Sequence, residues 1–190
     1  GLYLSEQVME QIHIDIETMG TKGVIYAGGG DPFAWEYNII PFMERAISFC
    51  SVGVDTNGVL VDKILASSVV DKIFYITFAL LGHNSDLYNN VCGKDQFRIV
   101  DNNMRLLVKK KKYLNSNYPH INVKLSINRI SYRYIIEMWR YAKSVEVDNI
   151  FVRCMNNFEE SQDVELILAQ KKELFDLIIN SFDTPLGYRY

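Results

Sequence analysis

The residues with the clearest chemical potential stand where short apolar segments end. Gly28-Gly29-Gly30-Asp31-Pro32 follows the apolar run at residues 23–27, and Asp55-Thr56-Asn57-Gly58 follows the run that begins at Ser51. Glycines at the end of a strand permit positive φ and let the backbone approach a ligand closely. The spacing is not a dinucleotide-binding fingerprint, because Phe33 stands where a third glycine is needed, and no Gly-Lys-Ser/Thr of a P-loop follows. The triple glycine therefore indicates either a ligand-binding turn or a plain tight turn.

The cysteines and histidines give weaker signals. Cys50, Cys92 and Cys154 are far apart and include no Cys-x-x-Cys pair, so they predict no disulfide framework and favour a reducing, cytoplasmic compartment. His13, His83 and His120 show no paired metal-ligand spacing, so we expect structural roles for them. None of these residues is predicted to be a metal ligand or a nucleophile.

Composition bounds the class of protein. The chain has 190 residues, which predicts one domain with a single core. Lys and Arg number 20 against 23 Asp and Glu, a net charge of −3 that excludes a strongly basic nucleic-acid binder. No apolar run approaches the roughly 18 residues of a membrane helix, and no signal peptide is recognisable, so a soluble protein is predicted.

Helical and strand patterns alternate along the whole chain. Strands are predicted at residues 23–27, 51–55, 72–80, 121–127 and 149–154. The helices are predicted after a Ser5 cap up to Gly20 and at residues 34–49, 58–66, 94–113, 132–143 and 163–179, with Pro41 marking a kink or a late start in the second. Strict alternation with apolar strands is typical of a parallel sheet covered by helices.

A parallel sheet gathers ligands at the carboxyl ends of its strands, where the segments named above stand. Five strands are too few for the eight-stranded barrel. The series opens on a helix, so the strand belonging to that helix is expected to lie outside the sequence. The chain also starts at Gly1 within an apolar periodic pattern, which indicates a fragment of a longer protein.

Taken in chain order, five segments resemble motifs of the radical S-adenosylmethionine (radical SAM) enzymes. Gly29-Gly30-Asp31-Pro32 is similar to the family's Gly-Gly-Glu-Pro motif, with Asp in place of Glu, and Thr56-Asn57-Gly58 is similar to its Thr-Asn-Gly. Segments resembling the family's strands four, five and six follow at residues 76–82 (with their loop up to residue 97), 123–126 and 151–155. The order and spacing match over about residues 1–155.

The resemblance implies an α/β fold, a partial (βα)6 barrel of the TIM type. In that family the first strand ends in a Cys-x3-Cys-x2-Cys loop that holds a [4Fe–4S] cluster, and SAM cleavage there yields a 5′-deoxyadenosyl radical that abstracts hydrogen. That strand and that loop are expected to be absent from this chain. Cys50, Cys92 and Cys154 cannot replace the loop, because they fall on different predicted elements.

The resemblance also implies SAM-binding roles for individual residues. Gly29, Gly30 and Asp31 would meet the methionyl ammonium, and Lys124 would pair with the methionyl carboxylate. The remaining SAM or substrate surface would be lined by Thr56, Ser126, Arg153 and Met155. Ala79 stands where the family commonly has Ser, so one polar contact with SAM is expected to be lost.

Two functional hypotheses follow, with a third behind them. The first is the core of a cytoplasmic radical SAM enzyme whose cluster is held by an upstream segment. This enzyme would take electrons from a donor such as a flavodoxin or ferredoxin. Its substrate would be a small molecule, a peptide or an RNA, and no membrane would be involved. The alternative is a degenerate, cluster-free barrel that serves as a binding or interaction module. The third is an unrelated phosphate-binding α/β domain that uses Gly28–Gly30. In the radical SAM-like barrel, residues 1–155 are expected to form the core, and residues 156–190 to add a helix and tail to the same domain.

Overall fold

The computed structural model describes residues 4–28, 30–155 and 165–181 of the chain. The strands in this part are β1 (Gly23–Tyr26), β2 (Ser51–Thr56), β3 (Tyr75–Leu80), β4 (His120–Ile127) and β5 (Asn149–Cys154). The helices are α1 (Glu6–Thr18), α2 (Ile40–Ile47), α3 (Asp62–Leu65), α4 (Ser85–Cys92), α5 (Phe97–Tyr113), α6 (Ile135–Val145) and α7 (Leu168–Ser181). Short 3₁₀ turns at Pro32–Ala34 and Tyr132–Tyr134 precede α2 and α6.

The strands form one parallel sheet in the order β1-β2-β3-β4-β5, so neighbours in sequence are also neighbours in space. This confirms the predicted α/β architecture, a partial TIM-like barrel with parallel strands and flanking helices. Within the described residues, β1 pairs only with β2 and β5 only with β4, so each end of the sheet has a free edge. The free edge beside the first strand was expected from the sequence.

The two faces of the sheet differ in chemistry because side chains alternate along each strand. One face is apolar and fully buried, as at Val54, Ile76, Phe78 and Val123, and it packs in one core with helix residues such as Met104. The other face is concave and carries most of the polar strand residues. Register shows which residues share it, since Asp55 lies beside Thr77, Thr77 beside Asn122 and Asn122 beside Asn149.

Local capping signals set several helix ends. Ser5 caps α1 as predicted, its hydroxyl accepting a hydrogen bond from the Val8 N–H at 3.3 Å. The sequence predicted no helix between residues 80 and 94, but α4 occupies part of that segment. The Asn84 side chain accepts from the Leu87 N–H at 2.8 Å, and Gly93 ends α4 with a φ of 71°. Leu87 and Tyr88 are the buried residues of this short helix.

Other predicted boundaries also needed correction. The second helix starts late, at Ile40, and has Pro41 in its first turn. N–H groups of the first turn have no acceptor within the helix, so a proline there costs no hydrogen bond. The helix predicted at residues 58–66 is a single turn, Asp62–Leu65, because the Thr56-Asn57-Gly58 turn occupies the segment before it. β3, α5 and α6 each begin three residues later than predicted, at Tyr75, Phe97 and Ile135.

The last described helix, α7, was predicted at residues 163–179 and is found at Leu168–Ser181. Residues 163 and 164 of that prediction lie outside the described residues. Leu174 on α7 and Leu166 before it belong to the same core as the sheet, and Glu173 accepts a hydrogen bond from the Tyr132 hydroxyl at 2.8 Å. Among the described residues, no helix is both long enough and apolar enough to cross a membrane.

Candidate functional site

A cavity of about 380 Å³ opens at the carboxyl ends of the strands, within the range of roughly 300–1,000 Å³ typical of small-molecule sites. Five of the residues predicted from the sequence line it: Gly30, Asp31, Thr56, Lys124 and Arg153. Ala27, Gly28, Asp55, Asn57 and Ala79 complete the lining. Residues as far apart in sequence as Asp31 and Arg153 meet here, because parallel strands end at one rim.

The other predicted site residues lie elsewhere or are not described. Ser126 is on the concave face of β4, only 8% exposed and in register with the lining residue Arg153. Met155 follows β5, where its backbone N–H donates to the Ile127 carbonyl at 2.8 Å. Neither lines the cavity as it stands. Gly29 falls outside the described residues.

Asp31 is held by the protein itself. Its Oδ2 accepts hydrogen bonds from the Thr56 hydroxyl at 2.6 Å and from the Asn57 N–H at 2.7 Å. Its Oδ1 accepts from the Phe33 N–H at 3.0 Å, which caps the 3₁₀ turn after β1. The carboxylate therefore fastens the loop after β1 to the loop after β2, and Oδ1 keeps one accepting position for a ligand.

Thr56 is correspondingly a buried residue of this junction, 4% exposed, rather than a free polar contact. Its oxygen accepts from the Gly58 N–H at 3.0 Å while its hydroxyl donates to Asp31. Gly58 has a φ of +86°, and a Cβ there would lie 2.7 Å from Cδ1 of Phe78. The turn therefore requires glycine for its conformation and for the close approach of Phe78.

Lys124 and Asp55 form the charged pair of the cavity. Lys124 on β4 reaches across β3 to Asp55 on β2, with Nζ and Oδ2 3.3 Å apart, and the two side chains are 20% and 35% exposed. Ala79 lies between them, in register with Lys124, and its methyl group leaves the path open. Because the contact is long and both side chains are partly exposed, a competing anion can replace Asp55 as the partner of Lys124.

Asp55 is a lining residue to which the sequence analysis gave no role in binding SAM. The signal was present in the strand itself. Val52 and Val54 are both fully buried, and Asp55 follows them on the opposite, concave face. Strand alternation therefore placed this carboxylate towards the cavity.

Below the cavity the concave face continues as a polar row. The Asn149 amide donates to Asn122 Oδ1 at 2.9 Å, and the Asn122 amide lies 3.5 Å from the Thr77 hydroxyl oxygen. Thr77 and Asn122 are each 7% exposed. The Tyr75 ring lies across Gly53, where a Cβ would approach its Cζ to 2.3 Å. Burial, and then the charge of Asp55, raise the pKa of the Tyr75 hydroxyl.

The cysteines do not suit an iron–sulfur cluster. Cys50 precedes β2, Cys92 ends α4 and Cys154 ends β5, and no group of three or more potential metal ligands occurs among the residues that the structure describes. Burial raises the pKa of the Cys50 and Cys154 thiols, which disfavours the thiolate form that binds iron. These residues therefore do not fit a [4Fe–4S] cluster.

The histidines occupy structural positions. His13 is 1% exposed; its Nδ1 lies 2.8 Å from the Met9 carbonyl oxygen and its Nε2 2.6 Å from the Tyr26 hydroxyl. His83 Nε2 lies 3.0 Å from the Asn84 amide nitrogen. His120 packs edge-on against Phe74, with ring centroids 5.4 Å apart. Each ring is thus used in packing or local hydrogen bonding.

Comparisons with known proteins give structural matches only, since no family model and no curated protein sequence matches the chain. The enzyme anSMEcpe with bound AdoMet and a Cp18Cys peptide is similar at a TM-score of 0.71 and 16% identity, over 94% of this chain and 52% of that one. SuiB of Streptococcus suis bound to S-adenosylmethionine matches at 0.69 and 14% identity, over 95% and 42%. TYW1 with a lysine–pyruvate adduct matches at 0.61 and 15% identity, over 93% and 61%.

These three proteins are radical SAM enzymes, and the chain has the radical SAM fold that the sequence motifs predicted. It spans about half the length of the structures it matches. The likeness in fold agrees with a cavity at the rim where Gly30, Asp31 and Lys124 meet.

Proposed function

We propose that the cavity binds S-adenosylmethionine and that the chain is the SAM-binding core of a radical SAM enzyme. One observation carries the proposal: a lysine ammonium on β4 and the glycine-rich turn after β1, which ends in a carboxylate, line the same cavity. The methionyl end of SAM is a zwitterion, so it requires a cation for its carboxylate and acceptors for its ammonium. Charge-assisted contacts of this kind are each worth about 1.5–3 kcal/mol.

In this proposal, the turn at Gly28, Gly29 and Gly30 offers backbone carbonyls to the methionyl ammonium, and Asp31 offers the remaining accepting position of Oδ1. Lys124 releases Asp55 and pairs with the methionyl carboxylate. Asp55 then remains as a negative charge beside the ligand, whose sulfonium and ammonium groups are both positive. Thr56 acts by holding the turn, and Met155 lies at the surface around SAM. Ser126 and Arg153 line the substrate side of the site.

The chemistry of the complete enzyme depends on groups beyond this cavity. We propose that a [4Fe–4S] cluster is held by cysteines of a segment upstream of Gly1, because the cysteines of the described residues do not fit it. SAM bound at such a cluster would be the source of a 5′-deoxyadenosyl radical that abstracts hydrogen from the substrate. An electron donor such as a flavodoxin or ferredoxin belongs to the same proposal, as does a cytoplasmic location.

A peptide is the proposed class of substrate. The support comes from the structural neighbour anSMEcpe, which contains AdoMet together with a peptide. The concave face of this chain is also open beside the cavity, since Phe151 on β5 is 51% exposed.

The test is a ligand titration of the chain itself, followed by saturation-transfer NMR. We expect SAM to bind residues 1–190 with a dissociation constant on the order of millimolar, which corresponds to about 4 kcal/mol. Lys124→Gln should weaken SAM at least tenfold and leave adenosine, which lacks the methionyl group, unchanged. Lys109→Gln is the matched control, because Lys109 is exposed on α5, away from the cavity.

Equal SAM affinity in the wild-type chain and in Lys124→Gln would show that Lys124 does not bind SAM. The absence of saturable SAM binding at about 10 mM would favour the alternative of a cluster-free binding module. Sequencing the coding region upstream of Gly1 separates the same two hypotheses independently, since the enzyme requires three cysteines at gaps of three and two residues there.

A further inference from the structure

Arg153 is a charged residue of the cavity to which the proposed SAM site assigns no ionic partner. Asp31 is held by three donors and Lys124 by Asp55, whereas the Arg153 side chain is exposed and makes no hydrogen bond or ion pair within the part of the chain that the structure describes. SAM carries a single carboxylate, which the proposed function assigns to Lys124. A guanidinium in this position therefore has room for a second anionic group.

The residue opposite Arg153 strengthens this assignment. Ser126 on β4 is in register with Arg153 and 8% exposed, and its hydroxyl has no hydrogen-bond partner among the described residues. The Ser126 hydroxyl, beside this guanidinium, can provide a second donor for the same anion. Carboxylates accept such paired hydrogen bonds well.

β5 adds a way of binding the rest of the ligand. Within the described residues only β4 pairs with it, so the N–H and C=O groups along its outer edge have no strand partner. Such an edge is a template for an added strand. Phe151, two residues before Arg153 on the same face, is 51% exposed and offers an apolar contact there.

We propose that the free edge of β5 binds an acidic peptide in extended form, as the substrate class of the SAM site. A glutamate or aspartate of the peptide would lie opposite Arg153 and Ser126, and an apolar residue two positions away would lie opposite Phe151. The spacing of two follows from strand alternation, since only alternate residues of an added strand face the cavity. Reading this peptide as the substrate rests on the proposed function; its binding to β5 does not.

The spacing yields a recognition pattern that peptides can test. A parallel strand would carry an apolar residue, any residue and then an acidic residue, and an antiparallel strand would carry the reverse order. The probes are end-blocked, fluorescein-labelled peptides Thr-Leu-Thr-Glu-Thr and Thr-Glu-Thr-Leu-Thr, with Lys-for-Glu versions of each. Fluorescence anisotropy with residues 1–190 measures their affinities.

We expect one of the two Glu peptides to bind at least tenfold more tightly than its Lys version. Arg153→Glu should reverse this preference, and Phe151→Ser should weaken the Glu peptide about fivefold. The matched control is Arg98→Glu, which makes the same charge change at an exposed position on α5 and should leave the preference intact. Reversal of the charge preference is a gain of binding that a misfolded variant could not produce.

Three results would overturn the inference: equal affinity for Glu and Lys peptides, no reversal in Arg153→Glu, or competition by free glutamate as effective as by the peptide. A SAM titration of Arg153→Glu keeps the two proposals apart. Unchanged SAM affinity with reversed peptide preference supports both. Loss of SAM binding with unchanged peptide preference would assign Arg153 to SAM and reject the peptide site. Reversed preference in a chain that binds no SAM would retain the peptide site and reject the proposed function.

Discussion

The carboxylate of Asp31 and the hydroxyl of Thr56 are joined by a hydrogen bond of 2.6 Å between Oδ2 and Oγ1. This bond connects the loop after β1 to the loop after β2, and the Asn57 N–H donates to the same oxygen at 2.7 Å. The Gly-Gly-Asp and Thr-Asn-Gly segments, which resemble family motifs separately, therefore form one structural unit. A shorter Asp in place of the family's Glu serves this junction.

The first prediction concerns the stability of that junction. Thr56→Val should lower the free energy of unfolding by about 1–3 kcal/mol, because the Gly58 N–H loses its acceptor and Asp31 loses a donor in a buried position. Urea unfolding followed by circular dichroism measures the change. Thr21→Val, in the loop before β1, is the control and should be within about 0.5 kcal/mol of wild type. Equal stability of the two variants would show that the junction contributes nothing.

The second prediction concerns the turn at Gly58. Gly58→Ala should cost about 1–3 kcal/mol, because the new Cβ would lie 2.7 Å from Phe78 and alanine disfavours a φ of +86°. Gly23→Ala is the comparison, since a Cβ there would meet only the Ser51 carbonyl at an ordinary 3.6 Å. Thermal unfolding of both variants is the measurement. An unfolding temperature of Gly58→Ala at or above that of Gly23→Ala would contradict the strain argument.

The third prediction tests the path between Lys124 and Asp55. Ala79→Leu should fill the space over β3, separate the ion pair and reduce SAM affinity at least tenfold without unfolding the protein. Ala79→Ser is the size-matched control; it keeps the path open and adds a hydroxyl beside the methionyl group, so affinity should be equal or higher. Saturation-transfer NMR with SAM gives both values. Similar SAM affinity in the leucine and serine variants would place the ligand away from Ala79.

The fourth prediction is a loss of stability at alkaline pH. Burial, followed by the nearby Cys92, raises the pKa of Tyr88 to about 12, and burial also raises the pKa of Tyr26 and Tyr141 above the usual range. An unfolded tyrosine ionises near pH 10, so above that pH the unfolded state has released protons that the folded state retains. Stability should therefore be complete below about pH 10 and fall as the pH rises towards 12.

Tyr88→Phe provides the check on this pH dependence, measured as urea midpoints at several values between pH 8 and pH 12. The variant should decline less steeply than wild type above about pH 10, because one raised pKa has been removed. Tyr113→Phe, at a side chain 87% exposed, should decline as wild type does. Parallel curves for Tyr88→Phe and wild type would mean that this tyrosine does not couple folding to pH.

The sequence determined the order and type of most elements because periodicity and capping are local properties. Alternating apolar segments located every strand, and Ser5 located the start of α1. The errors arose where several local signals compete over a few residues. α4 depended on the Asn84 cap and the Gly93 stop within an otherwise polar segment, and the Thr56-Asn57-Gly58 turn shortened the helix that follows it.

The chemistry of the site was predicted only in part, for a different reason. The strand pattern and the resemblance to radical SAM motifs indicated that Gly30, Asp31, Lys124 and Arg153 would gather at one rim, because parallel strands share a carboxyl edge. They could not indicate that Asp31 is occupied by Thr56, that Lys124 pairs with Asp55 or that Arg153 has no such partner in the described residues. Those outcomes depend on distances between side chains 25 to 69 residues apart in sequence. Such distances are fixed only by sheet register and by small residues such as Ala79, which local sequence patterns do not encode.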